Sequence, residues 1–277
     1  MEYQLEYWKN KLEDYHRLQF PTDYKRPSKI DYRGANKKFV LSRKVSEKLR
    51  NLASRHETTL FCVLSSSINI LLAKYTNQED IVIGGLIANR HHEQTKDLIG
   101  FFVNTQVHRT HVDKSYSFDD IIKQVSKNQL EAQSYQDLPF DTLVNEIEIE
   151  PSASYHPIFQ ILFEMEESDK IVDESNLISC SEFLDVYEVE KFDMSISIDD
   201  SKDILTGRIS YAISLFNDDT IDRLIHNFKH LISKLVENPN APNEEFCLLN
   251  GLEYDLIVRQ WNSTDKEYAS DRTIHEL

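Results

Sequence analysis

The order of apolar and polar residues divides the chain into predicted elements before any chemistry is considered. Leu5, Trp8, Leu12 and Tyr15 recur at helical spacing and predict a helix over residues 2–18. Phe20 to Lys29 (FPTDYKRPSK) holds two prolines and many charges, which predicts an extended linker or loop. Lys37 to Ser42 reads as a strand, and Val45, Leu49, Leu52 and Ala53 mark a short amphipathic helix. Thr58 and Thr59 are positioned to cap the next helix. Its Leu60, Phe61, Val63, Leu64, Ile68, Leu71 and Leu72 are spread nearly all round, so it should be deeply buried. Asp80 to Ala88 (DIVIGGLIA) reads as a buried strand containing a glycine pair. A polar loop over 89–97 separates it from a second strand, Ile99 to Val112.

Ser117 should cap a helix over 118–134, and Pro139 should open another that ends near Ile147. Ile158 to Met165 predicts a short strand, and 182–189, 192–199 and 203–213 predict three more. Asn217 or Asp218 caps a long helix to about Val236. Ile221, Leu224, Ile225, Phe228, Leu231, Ile232 and Leu235 fall on one face of it. Asn238 to Glu245 (NPNAPNEE) reads as a linker, and 251–277 starts helical and ends polar. Strands and helices alternate early and strands cluster late, which predicts a layered α/β or α+β domain with a mixed sheet. No repeat at solenoid periods is present.

Composition narrows the function. The 277 residues are 40% hydrophobic and 28% charged, an ordinary globular balance for one or two domains. Only 6 glycines are present, so Gly-rich phosphate loops are few or absent. The net charge of −16 makes nucleic acid and anionic membranes poor partners. No apolar run approaches the roughly 20 residues that span a bilayer. The segment Met1 to Leu12 is too polar and charged for a signal peptide. Cys62, Cys180 and Cys247 are odd in number and far apart, against a disulfide framework or a zinc ribbon. A cytoplasmic location is expected, with Cys62 buried. His226 and His230 lie four apart, but Asn227, Phe228 and Lys229 between them lack the glutamate of a helical zinc motif, so a solvated helix face is expected. His91-His92-Glu93 sits in a polar run and reads as loop.

Several strings resemble the condensation domain of nonribosomal peptide synthetases, in that family's order. Ile99 to Arg109 (IGFFVNTQVHR) is similar to the family's IGxFVNTxxxR block, and Tyr135 to Asp141 (YQDLPFD) to its HQDxPFE block. Tyr75 to Arg90 (YTNQEDIVIGGLIANR) resembles YTGQEDIVVGxPVANR. His156 to Phe163 (HPIFQILF) resembles NPLFQVxF, and Lys191 to Ile198 (KFDMSISI) resembles the KFDLxLxL strand. Tyr7 to Leu12 and Phe20 to Pro27 fit the segment where the second lobe begins. Trp261 to Tyr268 (WNSTDKEY) and Ile274 to Leu277 (IHEL) look like the opening of an adenylation domain. The resemblance covers nearly the whole chain.

The family's chemistry resides on an HHxxxDG motif in its N-terminal lobe, and this sequence holds no such string. His91-His92 is followed by EQTKD and Leu98, and lies within what the resemblance makes the second lobe. Two smaller departures are Tyr135 for the histidine of HQD, and Pro151 to Pro157 (PSASYHP) for RxxSRxP. The latter keeps Ser154 and Pro157 but neither arginine. The salt bridges that the family makes there cannot form, which questions how tightly this stretch packs.

The resemblance implies a chloramphenicol-acetyltransferase-like lobe with a mixed sheet flanked by helices. It implies that residues 1–250 form the C-terminal, acceptor-side lobe and that 251–277 lead into an adenylation domain. The complete family joins a donor acyl group to an acceptor aminoacyl group, each carried as a phosphopantetheine thioester on a carrier domain, in a tunnel between two lobes. The implied partners are an N-terminal lobe, an acceptor peptidyl carrier domain and an adenylation domain, with no cofactor bound to this chain itself. Gly84, Gly85, Asn104 and Asp137 are candidates for the tunnel wall, and Arg90 and Arg109 for phosphopantetheine contact.

Each candidate has a plainer reading. Asn104 can satisfy backbone groups at a strand end. Asp137 can cap the helix that Pro139 opens. The two glycines fit a bulge or a close backbone approach, and the two arginines fit surface ion pairs. A crossover latch is implied within about Glu166 to Glu190, and an exposed lobe face invites self-association. The chain alone is expected to be inactive, as an excised piece or one part of a larger synthetase. A non-catalytic docking module is the alternative. An epimerisation or cyclisation relative would need a first-lobe motif that is equally absent from this sequence.

Overall fold

The computed structural model describes residues 2–91, 93–95, 98–147, 152–166, 188–265 and His275. Six strands form one mixed sheet: β1 (Gly34–Val40), β2 (Asp80–Ile87), β3 (Asn104–His111), β4 (Ile161–Glu166), β5 (Met194–Asp199) and β6 (Thr206–Ala212). They lie in the order β1-β6-β5-β4-β2-β3, with β2, β4 and β5 parallel and the other pairings antiparallel. The helices are α1 (Glu2–Lys11), α2 (Arg43–Arg55), α3 (Leu60–Thr76), α4 (Phe118–Gln133), α5 (Phe140–Glu146), α6 (Asp218–Glu237) and α7 (Gly251–Tyr254). A π-helical stretch, Asp255–Gln260, continues α7.

Local chemistry sets the helix starts. The Thr59 side chain accepts from the Cys62 amide, Ser117 and Asp120 form a reciprocal capping box, and Asn217 accepts from Thr220. Caps of this kind contribute about 1 kcal/mol each. α3 stops where Asn77 turns left-handed at φ 53°. As its nearly all-round apolar pattern predicts, α3 is buried along most of its length, from Cys62 to Leu72, with Ser65, Ser66, Ser67 and Asn69 buried as well. Among the described residues no single helix is long and apolar enough to cross a membrane.

Strand alternation decides which face is covered. Ile161 and Phe163 of β4, Met194, Ile196 and Ile198 of β5, and Ile209 and Tyr211 of β6 share one core with the apolar sides of α2, α3, α4 and α6. A second, smaller core on the opposite face joins Trp8 and Leu12 to Val82, Val107, Leu143, Phe159 and Leu162. Among the described residues, α1, α5 and their flanking turns cover that face, over β3, β2 and the start of β4.

Several boundaries differ from the sequence expectation. The first helix ends at Lys11, because Asp14 adopts φ 51°, yet Leu12 stays in the core. The strand expected from Ile99 begins only at Asn104, and the one expected from Ile158 begins at Ile161. Ile158 has φ 67° in a turn closed by the Phe159 amide and the Pro157 carbonyl. The strand expected at 182–189, the Glu166–Glu190 latch and Cys180 fall almost wholly outside the described residues, apart from a bridge between Val189 and Arg33.

The linker expected at Asn238–Glu245 is pinned to the domain. Asn243 is 3% exposed, its amide N–H donates to the Tyr116 carbonyl at 2.8 Å, and its own carbonyl accepts from Lys74 Nζ at 2.7 Å. Pro242 forms a bridge with Ser117. The chain therefore leaves α6 along a fixed path.

Candidate functional site

Beyond the cover of α1 and α5, the sheet presents a polar band. Leu162, Ser195, Ser210 and Asn36 are neighbours across four strands, and the next row holds Glu164, Ser197, Arg208 and Lys38. Glu166 Oε1 accepts from Ser197 Oγ and from Arg208 Nη2, both at 2.7 Å. Glu190 Oε1 accepts from Ser195 Oγ at 2.8 Å and from the Phe192 amide at 3.0 Å. Burial pushes the Glu164 and Glu190 carboxyls above the ordinary carboxylate range, and neighbouring carboxylates add to it. Side chains that alternate with the core this way need a wet neighbour, or a partner that satisfies them. Sequence reading does not single these residues out, although the alternation in Met194–Asp199 (MSISID) and Ile161–Glu166 (ILFEME) carries the signal.

An apolar edge borders the band. Leu86, two residues past Gly84 and on the same face, is 45% exposed. The loop after β2 returns to β3 with Leu98, Ile99, Phe101 and Val103 all exposed, Ile99 and Phe101 almost completely. Arg90 organises this loop from inside. Its guanidinium donates to the carbonyls of Thr95, Leu98 and Gly100 and lies 4.3 Å from the Phe102 ring centroid. Arg109 is also committed internally, to Asp80 through two nitrogens and to the carbonyls of Lys11 and Glu13. Both arginines hold backbone in place, and most of their N–H donors are used in doing so.

Asn104 takes the plainer of its two readings. Its Nδ2 donates to the carbonyls of Gln136 and Leu138, and its Oδ1 accepts from the amides of Thr105 and Phe140. One side chain thus joins the start of β3 to the turn that opens α5. Asp137 does not cap that helix, since Pro139 occupies the cap position without a side-chain bond. Asp137 instead accepts from Gln4 Nε2 at 3.1 Å and pairs with His91 Nε2 at 3.2 Å, linking the loop after β2 to α1.

Neither glycine of the pair forms a bulge, because the ladder runs unbroken through Gly84↔Val107 and Gly85↔Gln106. Each is a seat for a ring. The Phe159 ring lies against Gly84 where a Cβ would be, and His108 Nε2 would stand 2.5 Å from a Cβ on Gly85. Both glycines are buried, so neither lines open space.

His108 packs against Phe61, with ring centroids 5.6 Å apart. Burial lowers its pKa from 6.5 to about 4. Protonation then favours the unfolded chain, so stability should fall as pH drops from about 6.5 toward 4. Burial of His156 acts in the same direction, while the raised Glu164 and Glu190 oppose it. Urea midpoints measured between pH 7 and 4.5 should fall less for His108→Leu than for the unsubstituted chain. Equal slopes would contradict this assignment.

The stretch that lacks the two arginines still packs. Tyr155 lies between Arg17 and Arg26, at 4.2 and 4.0 Å from its ring centroid, and Arg26 also pairs with Asp193 and donates to the Ser154 carbonyl. Cations from a distant segment replace the missing local ones. His226 bonds to Asn250, and among the described residues no group of three or more His, Cys, Asp or Glu could hold a metal.

Comparison with known proteins was consistent across sequence and fold. A family model described as "Condensation domain" matches residues 1–258. Gramicidin S synthase 2 of Brevibacillus brevis is 33% identical over 279 residues, covering 100% of this chain and 6% of that protein. The chain therefore spans a small fraction of the length of the curated relatives it matches. A crystal structure of a four-domain nonribosomal peptide synthetase bound to AMP and glycine superposes with a TM-score of 0.83 at 23% identity, over 90% of this chain and 20% of that one. The X-domain from teicoplanin biosynthesis gives 0.82 at 22% identity, over 90% of this chain and 57% of that one.

Proposed function

Because the chain belongs to the condensation-domain family of nonribosomal peptide synthetases, we propose that it supplies the acceptor-side lobe of such a domain. The observation that carries this reading is the half-covered sheet. A polar band, partly buried, and an exposed apolar loop lie on the same face as α1 and α5, beyond the part that those helices cover among the described residues. The coverage of the X-domain, 57% of its length by 90% of this chain, supports the same proportion of a whole domain. In this reading the band and the loop form one wall of the cleft, and an N-terminal lobe carrying HHxxxDG forms the other. Residues 251–277 lead toward an adenylation domain, and the free thiols of Cys62 and Cys247 suit a reducing cytoplasm.

The reaction is acyl transfer between two tethered thioesters. The acceptor amine attacks the donor carbonyl, a C–N bond forms, the C–S bond breaks, and the donor phosphopantetheine leaves as a thiol with the proton the amine gives up. Holding two tethered reactants in register can contribute about 7–11 kcal/mol to lowering the barrier. A wall contributes to that term. The general base, worth roughly 10²–10⁴-fold, is assigned to the other lobe. Arg90, Asn104 and the Asp137–His91 contact keep the loop and α5 in fixed relation to the sheet, and so shape this wall without touching the reacting atoms.

The test uses loaded donor and acceptor carrier domains. The chain alone should give no amide above background, and adding a polypeptide with an N-terminal condensation lobe should give product. Turnover by the chain alone would overturn the reading. Carrier binding with no product in the two-polypeptide mixture would favour a non-catalytic docking module.

A further inference from the structure

β3 is an edge strand of the sheet, so half of its backbone groups face away from β2. The hydrogen bonds along the strand fix which half. The Val112 amide donates inward to Glu79, whereas the Thr105 amide takes Asn104 Oδ1 and the Arg109 carbonyl takes Asn128 Nδ2. Alternation then turns the N–H and C=O of Val107 outward, between those two asparagine contacts. Val107 is only 3% exposed, so bulk water does not reach these groups freely. Beside them Gln106, also 3% exposed, donates its Nε2 to the Ala132 carbonyl while its Oε1 has no partner among the described residues.

These groups meet a cavity of about 10 Å³. Its lining includes Thr105, Gln106, Val107, Gln136, Trp8 and Leu143. That size is about one water. A buried side-chain oxygen without a partner, such as Gln106 Oε1, costs free energy comparable to a lost hydrogen bond. We propose that this cavity is a binding site for one ordered water. The water accepts from the Val107 N–H and donates to Gln106 Oε1 and to the outward Thr105 carbonyl. It continues the work of Asn104 one step along the strand, so that the β3 edge is closed against the turn at 134–138 by a side chain and then by a solvent molecule.

The experiment is a crystal structure of the full chain at a resolution that shows solvent, with water-to-amide cross-relaxation measured in solution. The expected result is a density peak within about 3 Å of both Gln106 Oε1 and the Val107 nitrogen, and a long-lived water signal at the Val107 amide. A Gln106→Met variant should lose that signal. If it does not fold, the unsubstituted chain still decides the matter. A cavity without density, or Gln106 Oε1 turned onto a protein donor, would overturn the proposal.

Discussion

Gly84→Ala should destabilise the chain by about 3 kcal/mol, the upper part of the range for overpacking a filled core. The new Cβ falls within the Phe159 ring, which is fully buried and held on its other sides by Phe140, His156 and Phe192. The ring cannot retreat without disturbing that aromatic cluster, so either the strand or the cluster shifts. Urea midpoints provide the measurement. Gly251→Ala is the control, since nothing lies within 4 Å of a Cβ there, and its midpoint should be unchanged or slightly raised. The double variant Gly84→Ala with Phe159→Leu should recover part of the loss, because the two positions share one space. A Gly84→Ala chain within about 0.5 kcal/mol of the original would contradict the packing described above.

Asn104→Ala should cost about 2–4 kcal/mol, since it leaves two carbonyls and two amides without their partner in a part-buried turn. The damage should be local as well as global. Amide exchange should quicken at Thr105 and Phe140, the two donors that Asn104 serves. Asn104→Asp keeps the acceptor but sets a carboxylate against the Gln136 and Leu138 carbonyls, so it should not rescue. A loss under about 1 kcal/mol, with exchange unchanged at those amides, would show that the turn before α5 holds without this side chain.

Much of the architecture is legible in the sequence because periodicity and caps agree. Ser117, Thr59 and Asn217 each sit where a helix must begin, and each makes the bond expected of a cap. The ends of strands are less legible. Ile99 to Val103 is as apolar as a strand, but it lies exposed after β2, where its composition suits a surface that another partner covers. Nothing in the local pattern distinguishes an apolar residue facing a core from one that lies exposed.

The glycine pair shows a different limit. A close approach is predictable from two glycines in a buried strand. The groups that approach are Phe159 at Gly84 and His108 at Gly85, and only the fold brings these distant positions together. The resemblance brings Arg90 and Arg109 forward as contacts for a phosphate. The structure instead directs their donors to backbone carbonyls and to Asp80. The polar band escapes a linear reading because serine and glutamate in a strand read as solvent-facing. Only the sheet order reveals that Ser195, Ser197, Glu166 and Arg208 meet on one face.

The most direct test of the central claim is hydrogen exchange on this chain with and without a polypeptide bearing an N-terminal condensation lobe. The account predicts slower exchange at the loop residues 98–103 and along the β4–β5–β6 band, with the α6 side of the sheet unchanged. Protection confined to the α2 and α6 side, or no protection at saturating partner, would contradict it.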